Sequence, residues 1–89
     1  MKNLANKYRL PEITTQEQLE ECWSTVINFG NKVLLAGYYY NGKYENSYFA
    51  AVYEHTSEDL SIEGEIKLAA ISEEFFEDNG HALAWAMNH

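Results

Sequence analysis

The stretch from Val33 to Tyr53 constrains this chain more than any other. Two runs dense in aliphatic and aromatic residues meet at Asn41-Gly42. Asn-Gly between such runs signals a two-residue type I′ hairpin, because both central positions need positive φ and these residues tolerate it best. On that turn Tyr40 pairs with Lys43, Leu35 with Tyr48 and Val33 with Ala50. Alternation then sorts the hairpin into two faces. One carries Val33, Leu35, Tyr39, Tyr44, Tyr48 and Val52. The other carries Leu34, Ala36, Tyr38, Tyr40, Phe49, Ala51 and Tyr53. Neither face is polar throughout, whereas a small antiparallel sheet usually solvates one side. Either helices cover both faces, or an exposed aromatic patch meets a partner.

The flanks supply the helices. Thr14 and Thr15 are both good N-caps, with Glu17 or Gln18 three residues on as a capping box. Leu19, Cys22, Trp23, Val26 and Ile27 recur at helical spacing, and Gly30 offers a stop. The spacing predicts a helix over Thr15–Phe29, with Cys22 on its buried stripe. After a polar break at 54–59, Leu60, Ile62, Gly64, Ile66 and Leu68 alternate with polar residues and predict a third strand, bent or bulged at Gly64. Ser72 opens a short helix to Asp78, Asn79-Gly80 stops it, and a second helical piece covers His81–Met87; one helix through Gly80 is the alternative. The expected fold is α+β: an N-terminal helix, a three-stranded antiparallel meander and a C-terminal helix or helix pair on the sheet. Residues 1–89 make one small domain. Residues 1–11 are basic and apolar and end at Pro11, as a helical turn, an added edge strand or a mobile arm.

Charge is the next constraint. The 89 residues carry a formal net charge of −8. Lys2, Lys7 and Arg9 stand ahead of every acid; from Glu12 onward all fourteen acids are opposed only by Lys32, Lys43 and Lys67. So acidic a body repels nucleic acid and membrane surfaces and attracts basic protein surfaces. Direct nucleic-acid or membrane binding is disfavoured on this ground. A single cysteine forms no internal disulfide, and no apolar run is long enough to span a bilayer, so a cytoplasmic setting is expected.

Catalytic chemistry has little to stand on. Cys22 reads as a small core residue, the serines have no glycine elbow, and His55 reads as a surface histidine in a polar loop. Glu73, Glu77 and His81 align at i, i+4 and i+8 only if a helix runs unbroken through Gly80, and zinc sites normally need a fourth ligand. No glycine-rich loop precedes a helix to cradle phosphate. No metal, cofactor or enzyme activity is expected.

What remains are acidic clusters at Glu17/Glu20/Glu21, Glu54/Glu58/Asp59/Glu63/Glu65 and Glu73/Glu74/Glu77/Asp78. In size, acidity and lack of catalytic residues the chain resembles small inhibitors from phages and mobile elements, such as anti-restriction and anti-CRISPR proteins. That resemblance is one of composition and carries no residue over. The expectation is a non-enzymatic module that occupies a basic, nucleic-acid-binding surface of a larger protein. Glu58, Asp59, Glu63, Glu65, Glu73 and Glu77 supply its charge, with Tyr38, Tyr40 and Tyr53 as anchors. Two alternatives stand beside it: a homodimer closed by the tyrosine-rich sheet face, and a small-ligand binder with a tyrosine-lined pocket.

Overall fold

The computed structural model describes residues 9–38, 47–72 and 74–89. Its centre is a four-stranded antiparallel sheet in the order β1 (Thr25–Phe29), β2 (Lys32–Tyr38), β3 (Tyr48–His55) and β4 (Ile66–Ile71). Helix α1 (Gln16–Cys22) precedes the sheet and α2 (Asn79–Met87) follows it. A single 3-10 turn at Leu10–Glu12 opens the described chain. The α+β expectation holds, with four strands in place of three.

The extra strand comes out of the expected first helix. Thr15 caps α1, its hydroxyl accepting from Gln18 N at 3.3 Å, but the helix ends at Cys22. Thr25, Val26 and Ile27 are β-branched, stiff at χ1 and better suited to a pleated surface, and they pair with Ala36, Leu35 and Leu34. The 3.6-residue spacing of the apolar positions masked this change of period. Cys22 is correspondingly exposed and not a core residue. Gly30, expected to stop a helix, instead opens a two-residue hairpin turn with Asn31. Its φ of 67° at the first central position meets the requirement of a type II′ turn.

The central hairpin is in a different register from the one expected. Leu35 pairs with Ala51 and Val33 with Tyr53, so β3 is displaced by three residues. An odd displacement exchanges the faces of one strand. Phe49, Ala51 and Tyr53 therefore join Val33 and Leu35 in one core with Leu10, Leu19 and Ile66, against which Trp23 and Val26 pack. Leu34, Ala36, Ala50 and Val52 form the other core beneath Ala82, Ala86 and Trp85 of α2. Helical segments thus cover both faces, the first of the two arrangements the hairpin allowed. The Asn41-Gly42 turn itself lies outside the described residues.

Two further segments depart from expectation. The third strand predicted over 60–68 is the Ile66–Ile71 strand instead, and 60–64 is a chain of bends and turns. The bulge falls not at Gly64 but where Val52 faces Ala70 and Tyr53 faces Leu68, leaving Ala69 extra. Ser72 and residues 74–78 form no helix, where one over Ser72–Asp78 is expected. Tyr48 and Phe76 exchange backbone hydrogen bonds at 3.1 and 2.7 Å, and Ser72 N donates to Ala50 O at 2.8 Å, so this stretch borders β3. Asp78 then caps α2 by accepting from His81 N at 2.8 Å, which makes Asn79-Gly80 a helix start and not a stop.

Tyr53, expected as an exposed anchor, is fully buried and donates to the Leu10 carbonyl at 2.7 Å. Burial holds its phenol well above the ordinary tyrosine range. In the unfolded chain it ionises near pH 10, so above about that pH the unfolded state binds fewer protons than the folded one and stability falls as pH climbs. Tyr53→Phe is expected to flatten this alkaline loss. At neutral pH it is expected to lower stability by about 1–3 kcal/mol, because Leu10 O is left without its donor. Urea melts of both proteins at neutral and alkaline pH check both effects.

Candidate functional site

The start of α1 is fastened to the connection between β3 and β4. Glu17 N donates to Ile62 O at 3.1 Å, Ile66 N donates to Thr14 O at 2.8 Å, and Thr15 bridges Glu65. Buried Gln16 ties in the sheet. Its Nε2 donates to Glu20 Oε1 at 2.9 Å, and its Oε1 accepts from Asn28 Nδ2, which also donates to Leu60 O at 3.4 Å. Two acidic clusters far apart in sequence thereby become neighbours.

The connection is shaped by its own short side chains. Asp59 N donates to Ser57 Oγ, Ser61 N to Asp59 Oδ1 at 3.0 Å, and Glu63 N to Ser61 Oγ. Thr56 Oγ1 donates to Glu65 Oε1 and closes the base. Hydrogen bonds from the Ser61 side chain and backbone hold the Asp59 carboxyl below the usual carboxylate range. Glu54, Glu58, Asp59, Glu63 and Glu65 are all exposed, as are Glu17, Glu20 and Glu21. The ion pairs among the described residues are those of His81 with Glu77 and Asp78, so none of the described lysines or arginines is paired with this surface.

The expected six-acid patch is not one patch. Glu58, Asp59, Glu63 and Glu65 gather beyond the His55 end of β3, whereas Glu77 follows Phe76, which pairs with Tyr48 at the opposite end. Exposed Tyr38 packs edge-on against Tyr48, with ring centroids 5.4 Å apart, and so belongs with Glu77. Tyr40 and Glu73 lie outside the described residues. Tyr38 is thus the one proposed tyrosine anchor that is described and exposed, and it stands away from the main acidic surface.

Glu77, Asp78 and His81 have potential ligand atoms within 4.8 Å of one another, all on exposed side chains. Their contacts belong to the cap of α2: Asp78 Oδ1 meets both His81 N and His81 Nδ1 at 2.8 Å. Asp78 raises the His81 pKa and is itself lowered. His55, expected on a loop surface, ends β3 half-buried, with Nδ1 3.1 Å from Asn31 O. An open depression of ≈ 640 Å³ is lined by Ala70, Ile71, Glu74, Trp85 and His89. It contains no tyrosine, unlike the pocket the small-ligand alternative requires. No helix among the described residues is long and apolar enough to cross a membrane.

The outer edge of β1 lies within the segment expected to be helical, Thr15–Phe29. The run Thr25-Val26-Ile27 followed by Gly30-Asn31 was the available signal, since Gly-Asn between apolar runs also marks a hairpin.

Fold and surface together define a small acidic α+β domain that presents carboxylates from two segments on one side. The chain belongs to the family described as Nucleotide modification associated domain 4, whose model matches residues 10–89. No curated protein matches the chain, and no solved structure does.

Proposed function

We propose that this chain is a non-enzymatic protein-binding module that docks its acidic surface on a basic, nucleic-acid-binding surface of a larger protein and masks it. The observation that carries this reading is the hydrogen-bonded union of the α1 start with the 56–65 connection. It joins Glu17, Glu20, Glu58, Asp59, Glu63 and Glu65, and no basic residue among the described ones is paired to them. Such a field steers encounter with a cationic groove and competes with the polyanion that groove normally holds. The family description associates the domain with nucleotide modification, and a protein that acts on nucleotides is the partner proposed here.

The acids differ in what they do for the fold. Asp59 and Glu65 accept hydrogen bonds that shape the connection, whereas the Glu58 and Glu63 side chains make none. Glu17→Lys, Glu58→Lys and Glu63→Lys together are expected to weaken partner binding by a factor of roughly ten or more, about 1.4 kcal/mol. Each exposed change should alter domain stability by no more than about 0.5 kcal/mol. The measurement is a pull-down from native lysate at low and high salt, followed by titration of the retained protein with wild-type and reversed chains. Displacement of the partner by added DNA or RNA supports the reading, and equal affinity of the reversed chain sinks it.

Of the tyrosines on which the homodimer alternative would close, Tyr38 is exposed among the described residues. Tyr53 is buried, Tyr48 is half-buried beside Phe76, and α2 covers Leu34, Ala50 and Val52.

A further inference from the structure

The two edges of the sheet are finished differently. On β4, Ile66 N is taken by Thr14 O, Lys67 faces outward and Ala69 makes a bulge. Charge, bulges and covering segments are the usual protections of an edge strand. Among the described residues β1 has none of them. Its sequence Thr-Val-Ile-Asn-Phe is uncharged and free of proline, and its register with β2 is unbroken. Among the described residues nothing pairs with its outer edge.

Large exposed apolar side chains gather along that edge. Ile27 and Phe29, 41% and 49% exposed, point to the α2 side of the sheet. There a groove of ≈ 350 Å³ runs between Phe29–Lys32 and Ala86–Met87, and Met87 is itself exposed. On the opposite side Asn28 is bonded to Gln16, and Gln16 to Glu20, so α1 and its carboxylates flank that face. The edge therefore has an apolar side and an acidic side.

We propose that the outer edge of β1 receives an extended segment of a basic partner as a fifth strand. Alternate apolar residues of that segment pack on Ile27 and Phe29, and the intervening lysines or arginines face the α1 acids. This names the kind of segment the acidic module recognises and rests on that reading. A second copy of this chain is a poorer occupant, because a β1–β1 pairing brings the carboxylates of two α1 helices together.

The probe is a blocked Val-Lys-Val-Lys-Val-Lys-Val peptide, titrated into the full-length, isotope-labelled protein and followed by amide NMR. Saturable shifts centred on residues 25–29 are expected, with none from the Val-Glu counterpart. Methylating alternate peptide amides removes the ladder donors and should weaken binding roughly tenfold. Ile27→Lys, an exposed change on the apolar side, should abolish it. Shifts confined to 56–65 and indifferent to amide methylation overturn the edge proposal and leave the acidic surface standing. Equal binding of the Val-Glu peptide at 25–29 overturns the requirement for a basic segment and, with it, the role of the acids. Outward amides of β1 already protected from exchange without peptide, or a dimer in sedimentation that Ile27→Lys dissolves, also overturn the proposal, since the edge is then already filled.

Discussion

Phe49→Ala is expected to lower the stability of the domain by about 3–5 kcal/mol, read as a shift in urea midpoint at unchanged slope. The ring is fully buried between two supports. Trp23 meets it edge-on, with centroids 5.3 Å apart and planes at 85°. Gly37, its cross-strand partner, lies so close that a Cβ there would stand 2.5 Å from Phe49 Cε1. Truncation removes the transfer energy of an aromatic side chain and leaves a space that β2 and α1 cannot collapse into. Small domains are stable by about 5–15 kcal/mol, so much of the margin disappears. The same geometry predicts coupling: Gly37→Ala alone overpacks the site, while its cost should shrink by about 0.5–3 kcal/mol once Phe49 is alanine. Additive effects at these two positions would show that the ring does not rest on Gly37.

Gly64→Ala is expected to cost roughly 3 kcal/mol, at the upper end of overpacking changes. The cause is space and not backbone conformation. A Cβ at Gly64 would stand 1.9 Å from the Asp59 carbonyl oxygen, and a carbonyl cannot swing aside as a side-chain tip can. The turn from Asp59 to Gly64 has to open, which strains the Gly64 N to Ser61 O bond and the contact of Ile62 with α1. Hydrogen exchange should therefore quicken first in 59–66 and in the first turn of α1, before the rest of the sheet loosens. Partner affinity should fall along with it, although no carboxylate has been removed. Uniform loss of protection across β2 and β3 would instead mean that the connection is no local unit.

The sequence was informative where one physical rule acted alone. Thr15 as a cap, the aromatic pair of central strands and a helix over His81–Met87 followed from local chemistry and from alternation. It misled where two periods overlapped. Leu19, Trp23 and Val26 share one core in the folded chain, but Leu19 and Trp23 reach it from a helix and its end, and Val26 from a strand. The apolar stripe therefore read as one long helix. Asn79-Gly80 begins a helix where a stop is expected, because Asp78, one residue earlier, is the stronger cap. The union of α1 with the 56–65 connection was beyond reach, since it depends on which strand lies beside the N-terminal segment. The edge of β1 was lost together with the strand itself.

The fastening of Leu10, Thr14 and Glu17 to Tyr53, Ile66 and Ile62 also has a temporal meaning. Each sheet neighbour is the next strand in sequence, so the hairpins can zip in the order in which they leave the ribosome. The N-terminal segment emerges first, but its partners come later: Tyr53 of β3 for Leu10, then Ile62 and Ile66 for Glu17 and Thr14. Leu10 and Leu19 therefore reach the core they share with Val33, Leu35, Phe49 and Tyr53 only once β3 has formed. A ribosome-bound chain halted before Ile66 lacks α2, so the Leu34, Ala36, Ala50 and Val52 face of its hairpin sheet is still uncovered, the form of this protein most in need of a chaperone.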